Sequence, residues 1–262
     1  VTQAIGYVIK KMKTSDFDII GNEVEFKKGG KYEPIKLELN NGKRVEIIGK
    51  IDRIDLAKNP DGNYVRIIDY KSSIKNLDYG EVYEGMQIQL LTYLDATCEI
   101  EDFKPAGILY FNLTDEKLDR KVVEDEIKEE LRKQFKMKGL ILADVNIIKM
   151  MDTELESGYS KNVPARLKAS GEEIIQTGSS VATNAEFEKL QKYTKKIIKE
   201  ISNDILKGNI ELKPFFKVNG RKTACEYCSY KSICRFNKGY CGNDYNYIYG
   251  MKKDEMINKI SK

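Results

Sequence analysis

The stretch that decides the fold is Gly49-Lys50-Ile51-Asp52-Arg53-Ile54-Asp55, read together with Ile67-Ile68-Asp69-Tyr70-Lys71-Ser72-Ser73. Both read as strands, and as neighbours they set two carboxylates and a lysine close together. Successive side chains of a strand point to opposite faces. Asp69 and Lys71 therefore project together, while Tyr70 points away and leaves its backbone carbonyl near the same spot. Carboxylates held this way suit a hard divalent cation, and the lysine places a point charge beside it.

Working outward, residues 33 to 39 and 44 to 51 are expected as strands around the Asn-Gly turn Asn40-Asn41-Gly42-Lys43. A third strand, 64 to 70, follows Asn59-Pro60-Asp61-Gly62-Asn63, which predicts an antiparallel meander. Residues 84 to 98 carry Leu90, Leu91 and Leu94 at helix-compatible spacing, and 105 to 113 read as a buried strand. From 115 to 135 the charges are dense, but Val122, Val123, Ile127, Leu131 and Phe135 mark an apolar stripe of an exposed amphipathic helix. Residues 152 to 182 are rich in Gly, Ser and Thr and read as a loop with short strands. Thr183 and Glu186 have capping-box spacing and open a helix through Phe187, Leu190, Ile197, Ile201 and Ile205 that Gly208 ends. The expected organisation is an α/β core over 1–208, with an insertion around 114–182, and a cysteine-bearing segment over 209–262.

The 262 residues are 41% hydrophobic and 33% charged, the composition of a globular protein with a real core, and no apolar run approaches a membrane span. No secretory signal is visible, and a cytoplasmic location is expected. A net charge of +4 separates no class of partner from another. The chain has no histidine, which excludes His-based triads and zinc sites and leaves acid–base work to carboxylates, lysine or tyrosine. Val1, Ile5, Val8, Ile9 and Met12 recur at helical spacing with no cap before them, so the sequence is expected to begin inside a longer protein.

Asp52, then Asp69-Tyr70-Lys71, then Gln89 and Tyr93 in Gln89-Leu90-Leu91-Thr92-Tyr93, resemble the RecB-like branch of the PD-(D/E)xK nucleases. With the segment 84 to 95 and the C-terminal cysteines, the likeness extends to the nuclease domains of AddB-type helicase-nuclease subunits. The resemblance implies a restriction-endonuclease-like mixed sheet flanked by helices, and divalent-metal-dependent exonuclease activity on DNA. Asp52, Asp69 and the Tyr70 carbonyl would hold Mg²⁺ or Mn²⁺, and Lys71 would orient the attacking water. Gln89 and Tyr93, four apart on one helical face, would contact DNA or water. Glu23 is a weaker candidate for the family's upstream acid. The family's upstream histidine has no counterpart here, which predicts weak metal binding and reduced or absent cleavage by this chain alone.

Cys225, Cys228 and Cys234 form a compact Cys-x2-Cys-x5-Cys knuckle expected to bring three thiolates together, one short of the four that zinc or a 4Fe–4S cluster ordinarily takes. The fourth ligand could be Cys241, Cys98, an upstream cysteine or a non-protein group, and disulfide pairing is the alternative. The resemblance implies a 4Fe–4S staple completed by an upstream cysteine. Cys98 otherwise reads as a buried thiol and Cys241 as an unpaired surface residue. DNA-contact candidates are Lys161, Arg166 and Lys168, then Arg221, Lys222, Lys231 and Arg235, with Tyr227 and Tyr230 placed to stack on single-stranded bases. No Gly-x-x-x-x-Gly-Lys segment is present, so ATP would belong to an AddA-like motor partner. A Cas4-like exonuclease and a catalytically silent DNA-binding scaffold are the rival expectations.

Overall fold

The computed structural model describes residues 6, 9, 12–113 and 134–262. Val1, Ile5 and Val8 of the expected first helix lie outside these residues, as do Val122, Val123, Ile127 and Leu131 of the expected helix at 115 to 135. The elements run β1 (Asp18–Phe26), β2 (Ile35–Glu38), β3 (Arg44–Ile47), β4 (Gly49–Asn59), β5 (Gly62–Lys71), α1 (Tyr79–Tyr83), α2 (Gln89–Glu101), β6 (Lys104–Asn112) and β7 (Lys138–Leu142). They continue through α3 (Val145–Met151), β8 (Gly158–Tyr159), β9 (Arg166–Leu167), β10 (Val181–Ala182), α4 (Asn184–Leu206), β11 (Phe215–Lys217), β12 (Lys222–Thr223), α5 (Lys231–Cys234), β13 (Asn246–Ile248) and α6 (Lys253–Ile260).

A six-stranded mixed sheet in the order β1-β4-β5-β6-β7-β10 forms the centre. β4 and β5 make a tight hairpin that closes at Asn59 opposite Gly62, with the Asn59 side chain accepting from the Asp61 N–H at 3.1 Å. The next strand pair, β5 and β6, is parallel, and a parallel pair needs a crossover that a two-residue turn cannot supply. α2 provides it, burying Leu90, Leu91 and Leu94 against the sheet. This crossover aligns Asp69 with Tyr110 and Lys71 with Asn112.

The expected meander is corrected in its first half. Residues 35–38 and 44–47 pair only with each other, as a two-stranded ribbon. The pairing breaks at Ile48, 70% exposed, and β4 then leaves to pair with β1 and β5. The helix expected from 84 begins instead at Gln89, because Glu84 closes the short α1, which Asp78 caps by accepting from the Gly80 and Glu81 N–H groups. Within 114–182, β7 and β10 are strands of the central sheet. Thr183 and Glu186 form the capping box of α4, and Gly208 just beyond it has φ +70°. Phe187 and Leu190 are buried, whereas Ile201 and Ile205 near the other end are exposed. The C-terminal segment packs back: Met256 and Ile257 of α6 join the main core, and Lys253 pairs with Glu186 at 2.9 Å. Among the described residues no helix is long and apolar enough to cross a membrane.

Candidate active site

Asp52 and Asp69 come together because β4 and β5 are antiparallel with Arg53 opposite Ile68, so the next step of the register faces Asp52 to Asp69. The Tyr70 N–H donates to Asp52 Oδ2 at 2.9 Å, fixing that carboxylate against the β5 backbone. Lys71 Nζ lies 2.6 Å from Asp69 Oδ2. Tyr70 turns to the opposite face, where its ring meets Phe111 edge-on and its hydroxyl accepts from Arg53 at 3.3 Å.

Asp69 is 7% exposed. Burial raises its carboxyl above the ordinary carboxylate range, Lys71 opposes the shift, the negative charge of Asp52 adds to it, and Lys75 opposes it. The same surroundings push the Tyr110 hydroxyl up, through burial and the charges of Asp69 and Glu81. Two adjacent carboxylates in one half-buried place repel, and a hard cation shared between them relieves that repulsion. On this chemistry the donor set of Asp52, Asp69 and the Tyr70 carbonyl fits Mg²⁺ or Mn²⁺. Glu23 is not drawn in: it occupies a positive-φ position in β1 and pairs with Lys50 at the surface.

Gln89 and Tyr93 open α2 on the side facing the start of β4. The Gln89 amide donates to Tyr93 Oη at 3.3 Å, and the Lys50 N–H donates to the same oxygen at 3.1 Å. Tyr93 is buried and stacks on Phe26, while Gln89 is exposed. Gly49 is what permits this: a Cβ there would stand 2.2 Å from Tyr93 Oη. Tyr93 is thus a strut between helix and strand, two residues before Asp52.

Sequence reading missed Lys75 and Asn112. Buried Asn112, opposite Lys71 on β6, accepts the Lys75 N–H at 2.8 Å and so holds the second lysine beside the site. Arg53, next to Asp52 in the chain, is buried and grips Asp55 at 2.6 and 2.8 Å.

Cys225, Cys228 and Cys234 are free, the last two exposed, and no three His, Cys, Asp or Glu side chains form a metal-holding group among the described residues. Cys98 is half-buried, its thiol pushed up to about 12 by burial and then by Asp95 and Glu99, which makes it an inert packing group. The Cys241 side chain lies outside what is described. Of the basic candidates, Lys168 is paired with Glu173 and Arg166 lies over the Tyr159 ring at 4.6 Å. Tyr227 and Tyr230 are 90% and 71% exposed.

Residues 4–235 match the PD-(D/E)XK nuclease superfamily. The chain is similar to the B subunit of the ATP-dependent helicase/deoxyribonuclease of Thermoanaerobacter sp. (strain X514), 38% identical over 269 residues, covering 100% of this chain and 23% of that protein. It is also similar to the proteins so named from Alkaliphilus metalliredigens (strain QYMF), 42% identical over 96% of this chain and 22% of that one, and from Acetivibrio thermocellus, 37% identical over 98% and 23%. The chain spans under a quarter of the length of these relatives. With a mixed sheet whose neighbouring inner strands β4 and β5 carry Asp52, Asp69 and Lys71, the chain belongs to the PD-(D/E)XK nuclease superfamily.

Proposed function

We propose that this chain is the nuclease domain of an AddB-type helicase/deoxyribonuclease subunit. In this reading it is a cytoplasmic, divalent-metal-dependent exonuclease that hydrolyses the 5′-terminated DNA strand. An ATP-driven, AddA-like partner would unwind double-strand ends for recombinational repair. The observation that carries the reading is the convergence of Asp52, Asp69 and Lys71 within one hairpin of a chain of this superfamily.

Asp52, Asp69 and the Tyr70 carbonyl would hold Mg²⁺ or Mn²⁺, which when bound supplies positive charge to the phosphoryl and leaving oxygens. Lys71, 2.6 Å from Asp69, orients the attacking water and stabilises negative charge as it develops. Tyr93 fixes the start of β4 against the site by accepting the Lys50 N–H, and exposed Gln89 is free to meet a phosphate or a base. A 4Fe–4S cluster at Cys225, Cys228 and Cys234 would take its fourth ligand from a cysteine outside these residues and would staple the C-terminal segment, with no part in the cleavage itself.

A catalytically silent DNA-binding scaffold is the second reading. It is favoured by the Glu23–Lys50 pair, which withholds a third carboxylate. The test is degradation of end-labelled single-stranded DNA with Mg²⁺ or Mn²⁺, alongside Asp69→Ala. Cleavage that the variant loses supports the nuclease. DNA binding without cleavage, indifferent to metal and to Asp69→Ala, supports the scaffold.

A further inference from the structure

A cavity of about 610 Å³ opens between segment 74–81 and the C-terminal strands β11 and β12, lined among others by Lys75, Asp78, Glu81, Lys217, Lys222 and Tyr227. Its size lies within the roughly 300–1,000 Å³ typical of ligand pockets. Its floor is locked: Lys217 Nζ lies 2.7 Å from both Asp78 and Glu81, and Lys75 Nζ lies 3.5 Å from Glu81, so two cations stand against two carboxylates. Its rims are not. Lys222 has no ion pair among the described residues, and Tyr227 presents nearly its whole ring to solvent.

Lys75 joins this cavity to the candidate active site. Its ammonium is 3.5 Å from Glu81 on the cavity side, and its backbone is pinned to Asn112, the partner of Lys71 in the sheet. Asn112 spends its oxygen on that bond, and its buried Nδ2 has no partner among the described residues. Buried donors rarely stay unmatched without a ligand or water to meet them.

We propose that this cavity is a nucleotide subsite for single-stranded DNA. One base enters against Tyr227, the flanking phosphates meet Lys222 and Lys75, and Lys75 hands the strand to Asp52, Asp69 and Lys71. The inference rests on the nuclease reading for the direction of the strand, but base capture stands apart from cleavage. An aromatic face takes any base, which suits an enzyme that must move along a strand regardless of sequence. The neutralised floor repels no base, and the two rim lysines, with a gap between them, track a backbone.

The chain contains no tryptophan, so Tyr227→Trp creates a single reporter. Fluorescein-labelled oligothymidylate is titrated in Ca²⁺, reading anisotropy for binding and, with unlabelled strand, indole emission for stacking. The expected result is quenching of the indole in step with binding, about tenfold weaker binding in Tyr227→Ala, and a log–log salt slope shallower by about one in Lys222→Ala. Lys75→Ala should lower cleavage more than binding, with Lys75→Arg restoring it. The proposal is overturned if wild type does not bind the strand, if Tyr227→Trp binds it with indole emission unchanged, or if Tyr227→Ala and Lys222→Ala bind as wild type does. Cleavage that survives Asp69→Ala would instead sink the nuclease reading and leave the quenching result standing.

Discussion

The two faces of the β4–β5 hairpin carry the same kind of residue and treat it in opposite ways. On one face Asp55, fully buried, accepts four hydrogen bonds from two guanidinium groups: Arg53 at 2.6 and 2.8 Å, Arg66 at 3.0 and 2.9 Å. Arg66 also stacks over Phe17 at 4.5 Å. On the other face Asp69 meets Lys71 and the like charge of Asp52. The first carboxylate is satisfied and has no capacity left for a ligand. The second is buried with a repulsion that its neighbours only partly offset, which is the condition under which a carboxylate takes up a cation. One residue of register separates a saturated acid from one whose charge its neighbours leave partly uncompensated.

The largest expected effect breaks the functional face. Asp69→Ala should cut metal-dependent cleavage of end-labelled single-stranded DNA by about three orders of magnitude or more, while the fold survives. Residual activity near wild type would place the chemistry elsewhere. The structural face should respond inversely. Asp55→Ala leaves two buried guanidinium groups facing each other without their shared acceptor, and removing one partner of such a cluster costs about 3–5 kcal/mol. Urea denaturation reads this directly, with Asp52→Ala as the contrasting variant. If both cost the same stability, the faces do not differ in kind.

The comparison also explains what was legible in the sequence. Asp52, Asp69 and Lys71 were readable because everything that unites them is local: a side-chain period of two and one hairpin. That Gln89 and Tyr93 share one helical face was readable for the same reason, but the burial of Tyr93 against Phe26 and Lys50 was not, since it depends on strands far away in the chain. The structural face was not, because Arg53 beside two aspartates looks like exposed charge until the sheet buries it. β1 escaped notice because it is an edge strand with few buried side chains and a positive φ at Glu23. Lys75 depends on Asn112, 37 residues away in the chain, and the cavity depends on a segment more than 130 residues further on.

A smaller effect sharpens the link between α2 and the functional face. Gly49→Ala would drive a methyl group into Tyr93 Oη, and overpacking of this kind costs about 1–3 kcal/mol. Tyr93→Phe removes the obstructing oxygen, so the double variant should recover part of the loss even though the Lys50 N–H then lacks its acceptor. Additive losses in thermal unfolding would show that the hydroxyl is not what Gly49 accommodates.

The smallest effect is the most discriminating, because it turns on sign. The folded-state carboxyl of Asp69 lies above its unfolded value, chiefly through burial. The folded state therefore holds that proton more tightly, and unfolding free energy falls as pH rises through the window from the unfolded value to the raised one. At pH 7 the ionised Asp69 is a net liability. Asp69→Asn, which keeps the shape without the charge, should then be slightly more stable than wild type at pH 7. The two proteins should converge on acidification toward the unfolded carboxylate value, where wild type also carries a neutral group. Added Mg²⁺ should raise the wild-type melting temperature and leave the variant unmoved, since binding to the folded state alone is what stabilises. An Asp69→Asn protein less stable than wild type at pH 7 would mean that the Lys71 pair outweighs burial. Asp69 would then be a satisfied acid like Asp55, and the contrast between the faces would fail at its source.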